Sequence, residues 1–284
     1  TKGLLSSGGK TLEMLVVVPK DVYIGALRDT IGDNFEKACP NLPQKEPLFD
    51  VVQVDPEAYY SSTILQQHRN VIILDYKKTN PNNILGQVDK RYYPQAVFKI
   101  SANNMDSLIS ILSRYAYTIR RQFYENEYKR IYVAMKKQEN VKLNPQIQKF
   151  FGFRLMFSDE YYLATKDTNF FWIRKETTNE SFNIMIYKEK YAGEGLFDQK
   201  KIIELRDKIS KQYIPGPTHG SYMGTETRVN LVGDFTRKNV KIGKYTAVET
   251  RGMWRLFGNF MGGGFVNYCF LNPKTNEFIM IDCF

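Results

Sequence analysis

Apolar and polar positions divide the chain into segments of two periodicities. Residues 12–19, LEMLVVVP, form a nearly unbroken apolar run of strand length, and Val22, Ile24, Leu27 and Ile31 behind it approximate helical spacing. Pro40, Pro43 and Pro47 make 39–47 a loop, after which LFDVVQVD (48–55) reads as a second strand. A short helix at SSTILQQHR leads into the apolar strand NVIILDY, then a polar loop or extended arm over 75–94, then the strand AVFKISA. A long helix follows from about Asn104 to Lys136, opened by Asn103 or Asn104 as a cap and by Asp106 near its positive end. On its wheel Leu108, Leu112, Tyr115, Ile119 and Phe123 share one side, while Arg114, Tyr117, Arg121, Tyr124 and Tyr128 share the other.

The polar stretch KKQENVKLNP (136–145) ends the helix at an Asn-Pro step and marks a boundary. Beyond it a short helix, PQIQKFFG, precedes three alternating segments broken at KDTN and TTNE, an amphipathic helix over 197–213, and strands at 227–239, 244–258, 262–272 and 277–284. On the helix, Ile202, Ile203, Leu205 and Ile209 mark the inner side. The order β-β-β-α-β-β-β predicts an antiparallel sheet with helices on one face. The fold class is therefore α+β: two modules, each a mainly antiparallel sheet with helices packed on it, and one long helix near the middle of the chain. Residues 1–11 read as a flexible tether, 12–140 as an N-terminal module and 141–284 as a C-terminal one. The last strand runs to Phe284 without a cap or polar tail, which leads us to expect further chain beyond it.

Composition narrows the function classes. Forty Lys and Arg against 30 Asp and Glu give a formal charge of +10, spread without a run of five basic residues, which describes a mildly basic solvated surface. The Arg/Tyr side of the long helix has the residue types of a nucleic-acid surface; packing between layers, with local carboxylates pairing the arginines, is the plainer reading. Cys39, Cys269 and Cys283 lack zinc-ligand spacing; Cys269 and Cys283 suit either a disulfide or two buried free thiols. Two histidines and no carboxylate pairs at ligand spacing argue against a metal enzyme, and no cofactor is expected. No apolar run is long enough to span a membrane.

Two stretches draw attention as sites. In RGMWRLFGNFMGGGFVNYCF (251–270), Gly262, Gly263 and Gly264 are followed by strand-like text and not by Lys-Ser/Thr and a helix, so a phosphate loop is excluded by context. A turn or bulge between strands, or a contact lip, remains. In YIPGPTHGSYMGTE (213–226), prolines and glycines force an irregular path that presents His219, Tyr222 and Glu226; a histidine with a carboxylate suits acid–base chemistry, but no nucleophile motif accompanies them. His68 has still less company. Alternation over 245–255 puts Glu249, Arg251 and Met253 on one face, against Val248, Thr250 and Gly252, with Glu249 and Arg251 as a same-face pair.

Several of these stretches together, SSGGKTLEMLVVV, LPQKEPLFDVVQV, FFGFRLMF, NFFWIRKET, YIPGPTHGSYMGTE, ETRGMWRLFGNFMGGGFVNY and FIMIDCF, resemble lipoproteins of unknown function from Bacteroidetes over nearly the whole chain. The resemblance implies a signal peptide and a lipidated cysteine ahead of Thr1, hence a cell-envelope protein anchored to the membrane and facing the periplasm. It assigns no chemistry. In that family the glycine turn often reads Gly-Gly-Pro, where Gly262, Gly263 and Gly264 stand here. The second module's strand order also resembles, by analogy of fold alone, PsbP-like and Mog1-like proteins, many of which act in assembly. The resulting expectation is a non-enzymatic binding or assembly factor whose surface comprises His219, Tyr222, Glu226, Arg251, Trp254 and Gly262–Gly264, for an envelope protein or a glycan or lipid ligand. The competing expectation is an envelope hydrolase using the His219 loop. The implied compartment argues against nucleic acid.

Overall fold

The structure is a computed structural model and describes residues 3–178, 180–228 and 235–284. The chain forms two units, Thr1–Cys39 with Glu46–Ala134, and Pro40–Lys45 with Met135–Phe284. Both are sheets with helices packed on them, and the fold class is α+β.

The first unit contains a short strand β1 (Leu5–Ser6), β2 (Glu13–Val17), α1 (Gly25–Ile31), β3 (Asp50–Val54), α2 (Pro56–Ser61), α3 (Thr63–Gln66), β4 (Asn70–Tyr76), β5 (Asn83–Val88), β6 (Tyr92–Tyr93), β7 (Ala96–Ala102) and α4 (Met105–Lys137). Its five-stranded sheet has the order β3-β2-β4-β7-β5. The expected antiparallel arrangement is corrected here: β2, β3, β4 and β7 run parallel, and only the edge strand β5 is antiparallel. The physical reason lies in the text itself. Residues 14–17 and 71–74 do not alternate, because the strands are buried on both faces, as parallel strands under helical crossovers must be. Met14, Val16, Ile72 and Leu74 pack with Leu27, Ile31, Leu112 and Phe123 on one face. Leu15, Val17 and Val71 pack under Tyr59 on the other. β5 lies within the stretch read as a loop; its residues are mostly exposed, so it lacks the apolar alternation that marks a half-buried strand.

Helix α4 fits its sequence pattern closely. The Asn104 side chain accepts the Ser107 N–H at 2.8 Å, and Leu108, Leu112, Ile119 and Phe123 are buried, with Ala116 in place of the half-exposed Tyr115. The Arg/Tyr side is not uniform: Tyr124 packs on Phe49 at 5.0 Å between ring centres, Arg121 pairs with Glu125 at 3.7 Å, and Tyr117 and Tyr128 are exposed.

The segment read as a flexible tether is held on this unit. β1 pairs in parallel with β6, and the buried Arg69 donates to the carbonyls of Gly8, at 3.0 Å, and Gly9 while pairing with Glu127 at 3.1 Å. A buried guanidinium needs acceptors for its N–H groups, and this backbone supplies them. Gly9 has φ +94°, and a Cβ there would run into the ring of His68. His68 is itself buried against Glu13 at 3.0 Å, and burial lowers its pKa.

The second unit contains α5 (Asn144–Phe151), β8 (Tyr162–Lys166), β9 (Phe170–Glu176), β10 (Ser181–Lys190), α6 (Gln199–Tyr213), β11 (Tyr222–Thr225), β12 (Thr236–Ile242), β13 (Tyr245–Phe257), β14 (Gly262–Asn272) and β15 (Glu277–Cys283). Among the described residues all pairings are antiparallel, in the order β11-β13-β14-β15-β10-β9-β8, with β12 also on β13. The strand expected over 227–239 is described from Thr236; residues 229–234 lie outside the described residues. Helices cover both faces, not one. Phe171, Ile186, Ile279 and Ile281 pack with Ile147 and Phe151 of α5, whereas the alternate residues Phe170, Met185, Phe278 and Met280 pack with Ile202 and Ile209 of α6. The cysteines are free; Cys269 joins the α6 side and Cys283 the α5 side.

The inner stripe of α6 holds an arginine. Arg206 is wholly buried and grips Asp282 with two hydrogen bonds, Nε to Oδ2 at 2.9 Å and Nη2 to Oδ1 at 3.1 Å. Its Nη1 donates to Thr225 at 3.0 Å, Asn267 donates to Asp282 at 2.9 Å, and the guanidinium lies 3.9 Å from the centre of the Phe265 ring. Burial pushes the Asp282 carboxyl up, while Arg206 and Asn267 pull it back.

Candidate functional site

The two loops singled out by sequence meet at one end of the second sheet. β11 pairs with the outer part of β13, Tyr222 opposite Phe257 and Thr225 opposite Trp254. That register sets the turn after Ile214 beside the turn after Phe257: the Thr218 hydroxyl donates to the Gly258 carbonyl at 3.4 Å, and the Ser221 N–H closes back on Thr218 O at 3.0 Å. The hairpin between β13 and β14 is Gly258–Met261, and it is Gly258, at φ +83°, that needs the left-handed region.

The triple glycine is not this turn. Gly262, Gly263 and Gly264 lie in β14, opposite Arg255, Trp254 and Met253, and their φ values are not positive. They are needed for space. A Cβ on Gly262 would stand 2.8 Å from Trp254 O, one on Gly263 would meet the Trp254 indole at 3.0 Å, and one on Gly264 would press on Asn41 O and Leu42 Cδ2 at 3.1 Å each. The bare strand lets the Trp254 ring lie across its neighbour on one face and lets the 40–45 segment close down on the other.

Strand alternation sorts the remaining candidates. Tyr222 and Phe257 stack with ring centres 5.0 Å apart and planes 11° apart, Lys211 Nζ stands 4.5 Å from the Tyr222 ring, and Arg255 stands 4.0 Å from the Phe257 ring. Glu226 is nearly buried, yet it accepts from Arg228 Nε at 2.9 Å and has Arg255 Nε at 3.5 Å. Hydrogen bonding from Arg228 holds its carboxyl at about 2. Further along β13, Glu249 pairs with Arg251 at 2.8 Å and Lys238 at 3.1 Å, the same-face pair that alternation indicates. Burial raises the Glu249 pKa, the hydrogen bonds from Arg251 and Lys238 outweigh it, and the net shift is downward. Trp254 belongs to the opposite face, edge-on to Phe284 at 5.8 Å. His219 is exposed in the turn and makes no hydrogen bond or ion pair with a described residue.

At the hairpin tip Phe260 is fully exposed and Met261 is 54% exposed. The structure thus sets Tyr222, stacked on Phe257, beside the Gly258–Met261 turn and puts Glu226 four residues further along, its N–H bonded to the Met253 carbonyl, while His219 forms no hydrogen bond or ion pair with Glu226 or its partners. Sequence reasoning missed Lys211, Arg255 and Phe257. The last two follow from extending the 249, 251, 253 alternation along β13; Lys211, on α6, has no such signal. Chemically, the carboxylates are already occupied by guanidinium and ammonium groups and stay ionised at neutral pH, which suits ion pairing and not proton transfer. The aromatic rings, their attendant cations and the apolar tip suit contact with another molecule.

Among the described residues, no group of three His, Cys, Asp or Glu side chains converges, and no helix is long and apolar enough to cross a membrane. Residues 139–284 match the family described as "Domain of unknown function (DUF4837)", and residues 7–136 match "Domain of unknown function (DUF8532)". No curated protein matches the chain.

Proposed function

We propose that this chain, which belongs to the DUF4837 family of domains of unknown function, is a non-enzymatic binding or assembly factor of the cell envelope, lipid-anchored and facing the periplasm. The observation that carries the binding reading is the fully exposed Phe260 beside Met261, backed by the stacked Tyr222 and Phe257 with Lys211 and Arg255 against their rings. An aromatic at a turn apex gains nothing for its own fold from that position, and aromatic anchors bordered by cations are what protein interfaces use as their energetic centres. The partner is an envelope protein that offers a pocket to Phe260 and carboxylates to the surrounding cations. The compartment and the anchor rest on the resemblance of the sequence motifs to Bacteroidetes lipoproteins.

The test is in-cell photo-crosslinking of the full-length protein with probes at Tyr222 and Phe260 and a control probe at Lys129. Capture of one protein from the two surface probes alone is the expected result. Equal capture from all three positions contradicts the surface assignment. Labelling with a palmitate analogue, followed by membrane fractionation, tests the anchor independently; unlabelled, freely soluble protein contradicts it.

A further inference from the structure

The second unit contains a cleft of about 470 Å³ at some remove in sequence from the hairpin tip, between residues 152–155 after α5 and the β12–β13 turn at 242–245. Its walls are Phe153, Leu155, Ile242, Tyr245, Phe270 and Ile281. The aromatic part is well fixed: Tyr245 and Phe270 lie 4.6 Å apart and Phe153 and Phe270 5.7 Å apart, centre to centre. Its size falls within the roughly 300–1,000 Å³ of ligand pockets.

The cleft's charge is one-sided. Arg154, Lys244 and Lys274 line it and no carboxylate does. Arg154 is engaged by Glu139 at 2.7 Å. Lys274 forms no side-chain hydrogen bond or ion pair with a described residue, and Lys244 makes only a ring contact, 5.2 Å from the centre of Tyr245. Two ammonium groups without counter-ions therefore stand beside an open apolar pocket whose walls belong to the hydrophobic core of the α5 side. Water against such walls is readily displaced by an apolar group, and the cations select what that group carries.

We propose that this cleft binds a small monomeric amphiphile: an apolar chain or ring lying against the half-buried Leu155, Ile242 and Tyr245, over a floor of Phe153, Phe270 and Ile281, with one carboxylate, phosphate or sulfonate head at Lys244 and Lys274. The pattern matches such a ligand at both ends. A neutral lipid leaves the lysines unused, and a bare anion leaves the apolar walls wet.

The test uses decanoate and decyltrimethylammonium, each below its micellar concentration, and decanol below its solubility limit, titrated by calorimetry into the whole chain and followed by methyl chemical shifts of its isoleucines and methionines. Decanoate is expected to bind at least about tenfold more tightly than decanol, with the cation weakest, and to shift Ile242 and Ile281. Lys244→Gln with Lys274→Gln, both at exposed positions, should remove that preference while decanol binding persists and the far-ultraviolet spectrum is unchanged. Equal binding of decanoate and decanol to the native chain, shifts confined to Met261 at the hairpin tip, or an anion preference that survives the double substitution would each overturn the assignment.

Discussion

Two arginines in the second unit sit over two phenylalanine rings at nearly the same distance, and their surroundings differ completely. Arg206 lies 3.9 Å from the centre of Phe265 and Arg255 lies 4.0 Å from that of Phe257. The first has no exposed surface and is closed by a two-point grip on Asp282; the second is 37% exposed and shares Glu226 with Arg228. The inner pair locks α6 to the sheet, because every charge there must be answered inside the protein. The outer pair has solvent for a partner and keeps its ring and cation available. The same interaction thus serves cohesion at one place and presentation at another, and what separates the two roles is burial.

The inner arrangement should break hardest. Arg206→Met leaves the Asp282 carboxyl buried without its counter-charge and should cost about 3–5 kcal/mol in urea unfolding, whereas adding Asp282→Leu should recover most of the loss. A loss below about 1 kcal/mol from the single change would remove the cohesive role. Gly263→Val comes next. Valine favours strands, so a stabilised protein would mean that the glycine is not needed for space. Displacement of the Trp254 indole should instead cost about 1–3 kcal/mol and red-shift tryptophan emission.

Acid titration examines the outer pair. The Glu226 carboxyl is held at about 2 in the folded protein against an ordinary 4.5, so the unfolded chain takes up the proton first as pH falls. Its contribution is present above pH 4.5 and is lost as pH drops towards 2, and Glu226→Gln should flatten that limb of the stability profile. An unchanged limb would show that the Arg228 and Arg255 pairing contributes nothing. The smallest effect on stability is expected from Phe260→Ser, within about 0.5 kcal/mol, because the ring touches solvent on all sides. A larger loss would make Phe260 part of the fold and not of a surface.

Much of this architecture can be read from the sequence, and the failures share one cause. The antiparallel second sheet and α4 are legible because their periodicity is local, as is the same-face pairing of Glu249 and Arg251. Strand direction in the first unit, by contrast, depends on what covers each face, and the unbroken run LVVV was the available sign. Gly262–Gly264 look like a turn in one dimension; the Trp254 ring and the 40–45 segment that exclude a Cβ come from elsewhere in the chain. Arg206 was invisible for the same reason, since an arginine on an amphipathic helix reads as solvent-facing until Asp282, 76 residues on, is placed beneath it. The candidate surface was half legible: the two loops stood out by their glycines and prolines, while their meeting required the pairing of β11 with β13.

Co-purification from cells of native chain, Phe260→Ser and the Arg206→Met/Asp282→Leu pair, normalised to folded protein, tests the presentation role most directly. The partner captured by the native chain should be retained by the inner double substitution and be lost, by about tenfold or more, from Phe260→Ser. Equal recovery from Phe260→Ser and the native chain would contradict that role.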